Sequence, residues 1–239
     1  MKSRIAVAPV AGTASASLEP ADQRLYRAVL DSVMTRRLPP GTKLPEVALC
    51  ELFGVGRTVV RRVLQALAHD HIVELRHNRG AVVATPSPEE TRQVFEARRG
   101  IEGTILRLAI ARATQDDLAQ LQRHLEQEQQ EWPRGDQAAW AGLASGFHRK
   151  LAELAGNPYL ERYLAEIVSR CSLIVSLYEP PGNADCEHAE HKAIVERMAA
   201  GDVDGAVVLM EQHLQVLERN ICLRPADKPG NLRQMLGLG

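Results

Sequence analysis

Two sets of residues in this 239-residue chain have the types and spacing to do chemistry. The first is the run Arg57-Thr-Val-Val-Arg-Arg62. At helical spacing Arg57, Arg61 and Gln65 share a face flanked by Thr58 and Arg62, while Val60, Val63, Leu64 and Leu67 share another. One face packs and the other is cationic. A planar guanidinium bridges the two acceptors of a guanine edge, or a phosphate, so the cationic face suits double-stranded DNA. The second set is His148, His191 and His213, each at i±3 or i±4 from apolar residues: Leu151 and Ala152, Ile194 and Val195, Met210 and Leu217. All three therefore point toward apolar faces. Each buried imidazole needs a partner of its own, whereas one divalent cation such as zinc or nickel satisfies all three and keeps positions open for water or a ligand. A metal-free polar pocket is the alternative. Arg98 interrupts a stripe of Val94, Ile101, Ile105 and Leu108, so its charge is aimed inward and requires an anion. Glu102, one turn on, is one source; the carboxylate of a small-molecule effector is the other.

Both sets need elements to position them. From Leu44 to Ala84 the pattern reads as a short apolar-periodic helix, a Gly54-Val-Gly56 turn, a second helix opening on the arginines, and two β-rich runs joined by Asn78-Arg79-Gly80. That order is helix, turn, helix, wing. An earlier helical stripe, Asp22 to Arg37, stops at Leu38-Pro-Pro-Gly41, and Thr85-Pro-Ser-Pro88 starts a linker. Everything beyond reads as helix, roughly 88–112, 116–131, 136–155, 158–178, 185–200 and 202–222. The expected fold is therefore mostly α: an N-terminal winged helix-turn-helix followed by an all-α antiparallel helical bundle. If the chain folds back at Gly201, His191 and His213 lie ~15 and ~18 Å from that turn at the helical rise, side by side. The expected organisation is a flexible leader at 1–20, a DNA-binding domain at 21–86, an all-helical effector-binding domain at 87–222, which the resemblance described below also makes the dimerisation domain, and a tail at 223–239.

Composition agrees with two parts of opposite task. Residues 21–86 carry ten Lys/Arg against six Asp/Glu, while residues 87–222 carry fourteen against twenty-two. A basic part that meets phosphates and an acidic part held away from them fit a DNA-binding protein with a second, sensory domain. The cysteines, Cys50, Cys171, Cys186 and Cys222, form no C-x-x-C pair and suit a reducing cytoplasm. No apolar run approaches the ~20 residues of a membrane span.

The stretch carrying Leu49, Gly54, Val55, Arg57, Thr58, Val60, Arg61, Leu64, Leu67 and Gly80 resembles the winged helix-turn-helix of the GntR family of bacterial transcription regulators. With Glu96-x-Arg98-x-x-x-Glu102, Phe147-His148, Gly156-Asn157, Glu190-His191 and Met210-x-x-His213, the chain resembles the FadR subfamily and its FCD ligand-binding domain over about residues 22–222. The resemblance implies DNA contacts at Arg57, Thr58 and Arg61 with Arg62 beside them, and at His77 and Arg79 in the wing. It further implies a homodimer on a near-palindromic operator, repression relieved by an anionic metabolite, and effector contacts at Arg98 and Asn157, although Gly156 just before it makes Asn157 a helix-end residue by local chemistry. In many FCD domains the three histidines bind a divalent transition metal with an Asp one turn before the first. Here that position is Ala144, so water, effector or another residue must complete the sphere. Gly56 replaces a helix-capping Ser, His71 stands where a helix-ending Gly is usual, and Val47 occupies a position that is Arg in some members. A competing expectation, a metal-dependent enzyme with an appended DNA-binding domain, lacks a general base tied to the histidines by a motif such as H-E-x-x-H.

Overall fold

The computed structural model describes residues 20–76, 80–131, 137–179, 184–223 and 231–238. The leader at 1–19, and His77 and Arg79 at the wing tip, lie outside the described residues.

The N-terminal part is α1 (Pro20–Met34), β1 (Lys43–Leu44), α2 (Glu46–Phe53), α3 (Arg57–His69), β2 (Val73–Arg76) and β3 (Gly80–Val83). The wing is larger than expected. Besides the antiparallel β2–β3 hairpin, β1 adds a third strand on the other side of β3, pairing Lys43 with Val82 and Leu44 with Ala81. Gly54 ends α2 in the left-handed conformation (φ 64°), which glycine adopts without a Cβ penalty. Gly56 starts α3 with no side-chain cap, as the missing hydroxyl dictates. His71 takes the positive φ (61°) that a glycine would have filled. The apolar face of α3, Val60, Val63, Leu64 and Leu67, joins Leu25, Val29 and Val33 of α1 in one core.

The rest is helical: α4 (Pro88–Arg112), α5 (Gln115–Glu131), α6 (Gln137–Leu154), α7 (Pro158–Tyr178), α8 (Ala184–Ala199) and α9 (Val203–Asn220). Local chemistry places the starts. Ser87 accepts from the Glu90 N–H ahead of Pro88, and Asp202 accepts from the Gly205 N–H. Phe95, Ile105, Leu106, Phe147, Leu151, Leu164, Ile194 and Met210 fill the bundle core.

The two parts share packing. Leu173, Ile174, Leu177 and Tyr178 at the end of α7 belong to the N-terminal core. Arg36, just past α1, donates to the backbone carbonyls of Ser176 (2.6 Å) and Glu179. The C-terminal segment is not a free tail: residues 231–238 include α10 (Leu232–Met235), and Leu236, only 3% exposed, enters the same N-terminal core. Its Pro- and Gly-rich surroundings hide an apolar set, Leu232, Met235, Leu236 and Leu238, that finds its partners across the chain. Leu236→Ala is expected to lower the stability of the N-terminal part by about 2 kcal/mol, the low end for a buried leucine. A urea titration followed by the fluorescence of a probe on α1 measures it, and a change under about 0.5 kcal/mol, the range of an inert surface substitution, would make the docking inconsequential.

Candidate DNA-reading face and sensing site

Arg57, Thr58, Arg61, Arg62 and Gln65 are all exposed along α3, but their guanidiniums are not equivalent. Arg61 (65% exposed) is paired at 2.9 Å with Glu46 of α2. Arg62 is turned to Asp22 of α1, whose carboxylate is buried, so it ties the reading helix to its scaffold. Among the described residues, no ion pair or side-chain hydrogen bond holds Arg57 or Thr58. Val47 (53%) and Leu75 (52%) add exposed apolar side chains on α2 and β2.

In the bundle, His148 of α6, His191 of α8 and His213 of α9 converge. Ring centroids are 5.2 Å apart for His148–His191, 5.4 Å for His148–His213 and 4.7 Å for His191–His213. One nitrogen from each lies within 4.8 Å of the other two, and all three residues are buried. The fold-back at Gly201 (φ 69°) brings His191 and His213 together as their spacing predicts.

Each ring is held by a carboxylate from the side. Glu102 of α4 meets His148 Nδ1 at 2.5 Å, Glu128 of α5 meets His191 Nδ1 at 3.0 Å, and Glu190 of α8 meets His213 Nδ1 at 2.7 Å. A carboxylate at Nδ1 fixes the tautomer with the proton there and leaves Nε2 as a bare lone pair. Nε2 of both His191 and His213 is buried with no hydrogen-bond partner. Burial pushes the His148 imidazole down to about 4, Glu102 opposing and Arg98 adding to the effect. Burial likewise lowers His213, helped by the neighbouring His191, His148 and Arg98. These two rings are thus neutral near pH 7, the form a metal ion requires. Three converging ring nitrogens, two of them buried without a partner, with carboxylates behind the rings fit a divalent transition metal.

Arg98 is buried (3% exposed), and Glu102 one turn on is its partner. Its Nε donates to Glu102 at 2.6 Å and its Nη1 to the Cys171 sulfur at 3.0 Å, while Nη2 is buried with no partner. Burial would raise the Glu102 carboxyl, but the Arg98 guanidinium and the His148 ring draw it down to about 2. Arg98 and the histidines line a cavity of about 40 Å³, with Ala144 and Trp140 on another wall. The Ala144 methyl leaves open the side from which a carboxylate would approach.

Asn157 does not belong to this cavity. It is the N-cap of α7, accepting from the N–H groups of Tyr159 (3.1 Å) and Leu160 (3.4 Å), and the following Pro158 at the first helical position is the signal for that role. Sequence reasoning missed Glu128 and the orienting role of Glu102. Glu128 sits on the apolar stripe of α5 with Leu121 and Leu125, the same kind of interruption that singled out Arg98.

A winged reading head and a helical bundle enclosing a histidine-lined cavity, packed on each other, define a DNA-binding protein with a sensory domain. Residues 21–83 match the model of the bacterial regulatory proteins of the gntR family, and residues 93–216 match that of the FCD domain. The chain belongs to the GntR family of transcription regulators, in its FCD-containing branch, and is a ligand-responsive DNA-binding regulator rather than an enzyme. The HTH-type transcriptional repressor RspR of Escherichia coli (strain K12) is 25% identical over 207 residues, 85% of this chain and 90% of that protein. The HTH-type transcriptional regulator LutR of Bacillus subtilis (strain 168) is 28% identical over 203 residues, 76% of this chain and 92% of that one. Among solved structures, a GntR-type regulator from Rhodococcus sp. RHA1 shares the fold with a TM-score of 0.69 at 21% identity, covering 90% of this chain and 97% of its own. Among the described residues, no helix is long and apolar enough to cross a membrane.

Proposed function

We propose that this protein is a cytoplasmic, homodimeric repressor whose hold on a near-palindromic operator is relieved when a small anionic metabolite enters the His148–His191–His213 cavity. Zinc or nickel held by the three Nε2 atoms would supply a Lewis-acidic docking point for the anion. Arg98 Nη2 supplies the second, and Ala144 leaves room beside them. The observation that carries this reading is the pair of buried, partnerless Nε2 atoms of His191 and His213 beside an Arg98 N–H that also lacks a partner.

The output half runs through α3. Two reading helices in a dimer span half-sites about one helical turn apart, with Arg57, Thr58 and Arg61 on base edges or phosphates. His77 and Arg79 would extend the contact from the wing. Arg62, held by Asp22, positions the helix. Selection from random duplexes should return an inverted repeat. On that sequence Arg61→Ala is expected to weaken binding by about 1–3 kcal/mol with the bundle still folded. The same variant must retain helical content by circular dichroism. No enriched repeat, or wild-type affinity in the variant, would remove α3 from the reading role.

A further inference from the structure

One buried group in the cavity wall has no task in the scheme above. Glu187 of α8 is 5% exposed and lines the cavity, one turn before His191. Its carboxyl is hydrogen-bonded to that of Glu179, at the end of α7, yet its Oε1 is buried with no partner. Glu187 is outside the set whose ligand atoms lie within 4.8 Å of one another, so it is not placed as a metal ligand.

Two carboxyls in hydrogen-bond contact share a proton between them, because both cannot stay ionised at that distance. Burial and the nearby Glu179, Glu128 and Glu190 hold Glu187 well above the usual carboxylate range, in keeping with that sharing. The shared proton is committed to the Glu179 contact, and Oε1 retains its lone pairs. Leaving a buried acceptor unmatched is costly, and an occupant that brings a donor to Oε1 removes the cost. Also in the cavity lining, Arg98 Nη2 presents the opposite need, a buried donor without an acceptor. The walls between are apolar, with Val168, Val175 and Leu217 among them. A cavity of about 40 Å³ has room for a ligand of only a few heavy atoms.

We propose that Glu187 is a specificity-determining residue: it selects a small anion that carries a hydroxyl or ammonium donor over the same anion without one. The proposal rests on the reading of this cavity as an anion site and adds its second recognition point. Where a site is built to bond a ligand's donor, an analogue lacking it is rejected because the site's own polar atom is stranded.

The test is calorimetric titration of zinc-loaded full-length protein with matched small acids: acetate against glycolate and glycine, and propionate against lactate and alanine. At least one donor-bearing member is expected to bind about tenfold to a hundredfold more tightly than its parent, the scale of one hydrogen bond to a buried group. In Glu187→Met, which keeps the volume and drops the acceptor, that ratio should fall to within about twofold with zinc affinity unchanged, while Glu187→Gln, which keeps a carbonyl acceptor, should recover part of it. A wild-type ratio near one in every pair that binds, or a ratio that survives Glu187→Met, overturns the proposal while leaving the anion site standing. Loss of zinc in Glu187→Met overturns it too, by making Glu187 a metal ligand. If none of the acids binds, the anion reading falls and the proposal falls with it.

Discussion

His213→Ala is expected to raise the dissociation constant for zinc by about 100- to 1,000-fold. Four-ligand zinc sites bind with about 10–16 kcal/mol, so each ligand carries about 3 or 4, and one is lost. The same variant should separate metal from core packing. In the metal-free chain His213 Nε2 has no partner, and the Glu190 behind it is partly exposed, with 30% of its side chain in contact with solvent. Removing the imidazole therefore strands no buried charge. With free zinc at about 100 times the dissociation constant, wild-type protein gains about 2.7 kcal/mol, which for a chain of this size raises Tm by roughly 5–10 °C. Chelation should erase that gain in the wild type and do nothing in His213→Ala. His188→Ala, which removes a histidine outside the triad on α8, should behave as wild type. Elemental analysis of protein purified without a metal-affinity tag, with scanning calorimetry with and without chelator, reads both effects. Wild-type protein that carries no metal and ignores the chelator would turn the three rings into polar walls of a metal-free pocket.

How much of this was open to a reader of the sequence depended on the range of the forces involved. Helix limits are set within a few residues by caps and breakers, and Ser87-Pro88 with Ala113-Thr114 bound α4 at Pro88–Arg112, the span that the periodicity predicts. The triad was legible for a similar reason. Helical register points each ring inward, and the glycine turn at 201 pairs His191 with His213. What escaped was decided across the chain. Two residues of β1 carry no period to detect, and they become a strand only because β3 is alongside. Leu236 lies in a segment whose prolines and glycines argue for a tail, and only the exposed edge of the α1–α3 core makes it an anchor. Arg62 belongs to the same cationic face as Arg61 in any helical projection, and nothing local says that a buried Asp22 waits on another helix. The carboxylates behind the histidines come from α4, α5 and α8, so their assignment needed the bundle's packing order. Asn157 differs: Gly156 before it and Pro158 after it already marked a helix boundary, and only the cap bonds to Tyr159 and Leu160 put it at the start of α7.

The largest stability effect belongs to Glu102, because its carboxylate answers the buried Arg98 guanidinium and the N–H of the buried His148 ring together. It accepts from Arg98 Nε at 2.6 Å and faces His148 Nδ1 at 2.5 Å, and Arg98 and Glu102 are 3% and 1% exposed. Glu102→Ala leaves the guanidinium without its counter-ion in a setting where water cannot replace it, a change that costs about 3–5 kcal/mol. It also frees the His148 ring to turn or change tautomer, for which a 10- to 100-fold loss of metal affinity is about the usual penalty. The sign of the pH dependence follows from the folded carboxyl near 2, below its unfolded range near 4.5. Its stabilisation is present above the unfolded value and is lost as pH falls through that window, so wild-type and Glu102→Ala stabilities should draw together below about pH 4. The decisive comparison is with Arg98→Met/Glu102→Leu. Deleting both charges removes their desolvation cost along with their attraction, so the double variant should be more stable than Glu102→Ala alone although it changes more atoms. It should nevertheless lose anion binding, since Arg98 Nη2 goes with it. Urea titrations of the three proteins, each stripped of metal, measure the first difference. A double variant no more stable than Glu102→Ala would mean that Arg98 and Glu102 serve the fold separately, and that the buried pair is not the unit that joins bundle stability to the sensing cavity.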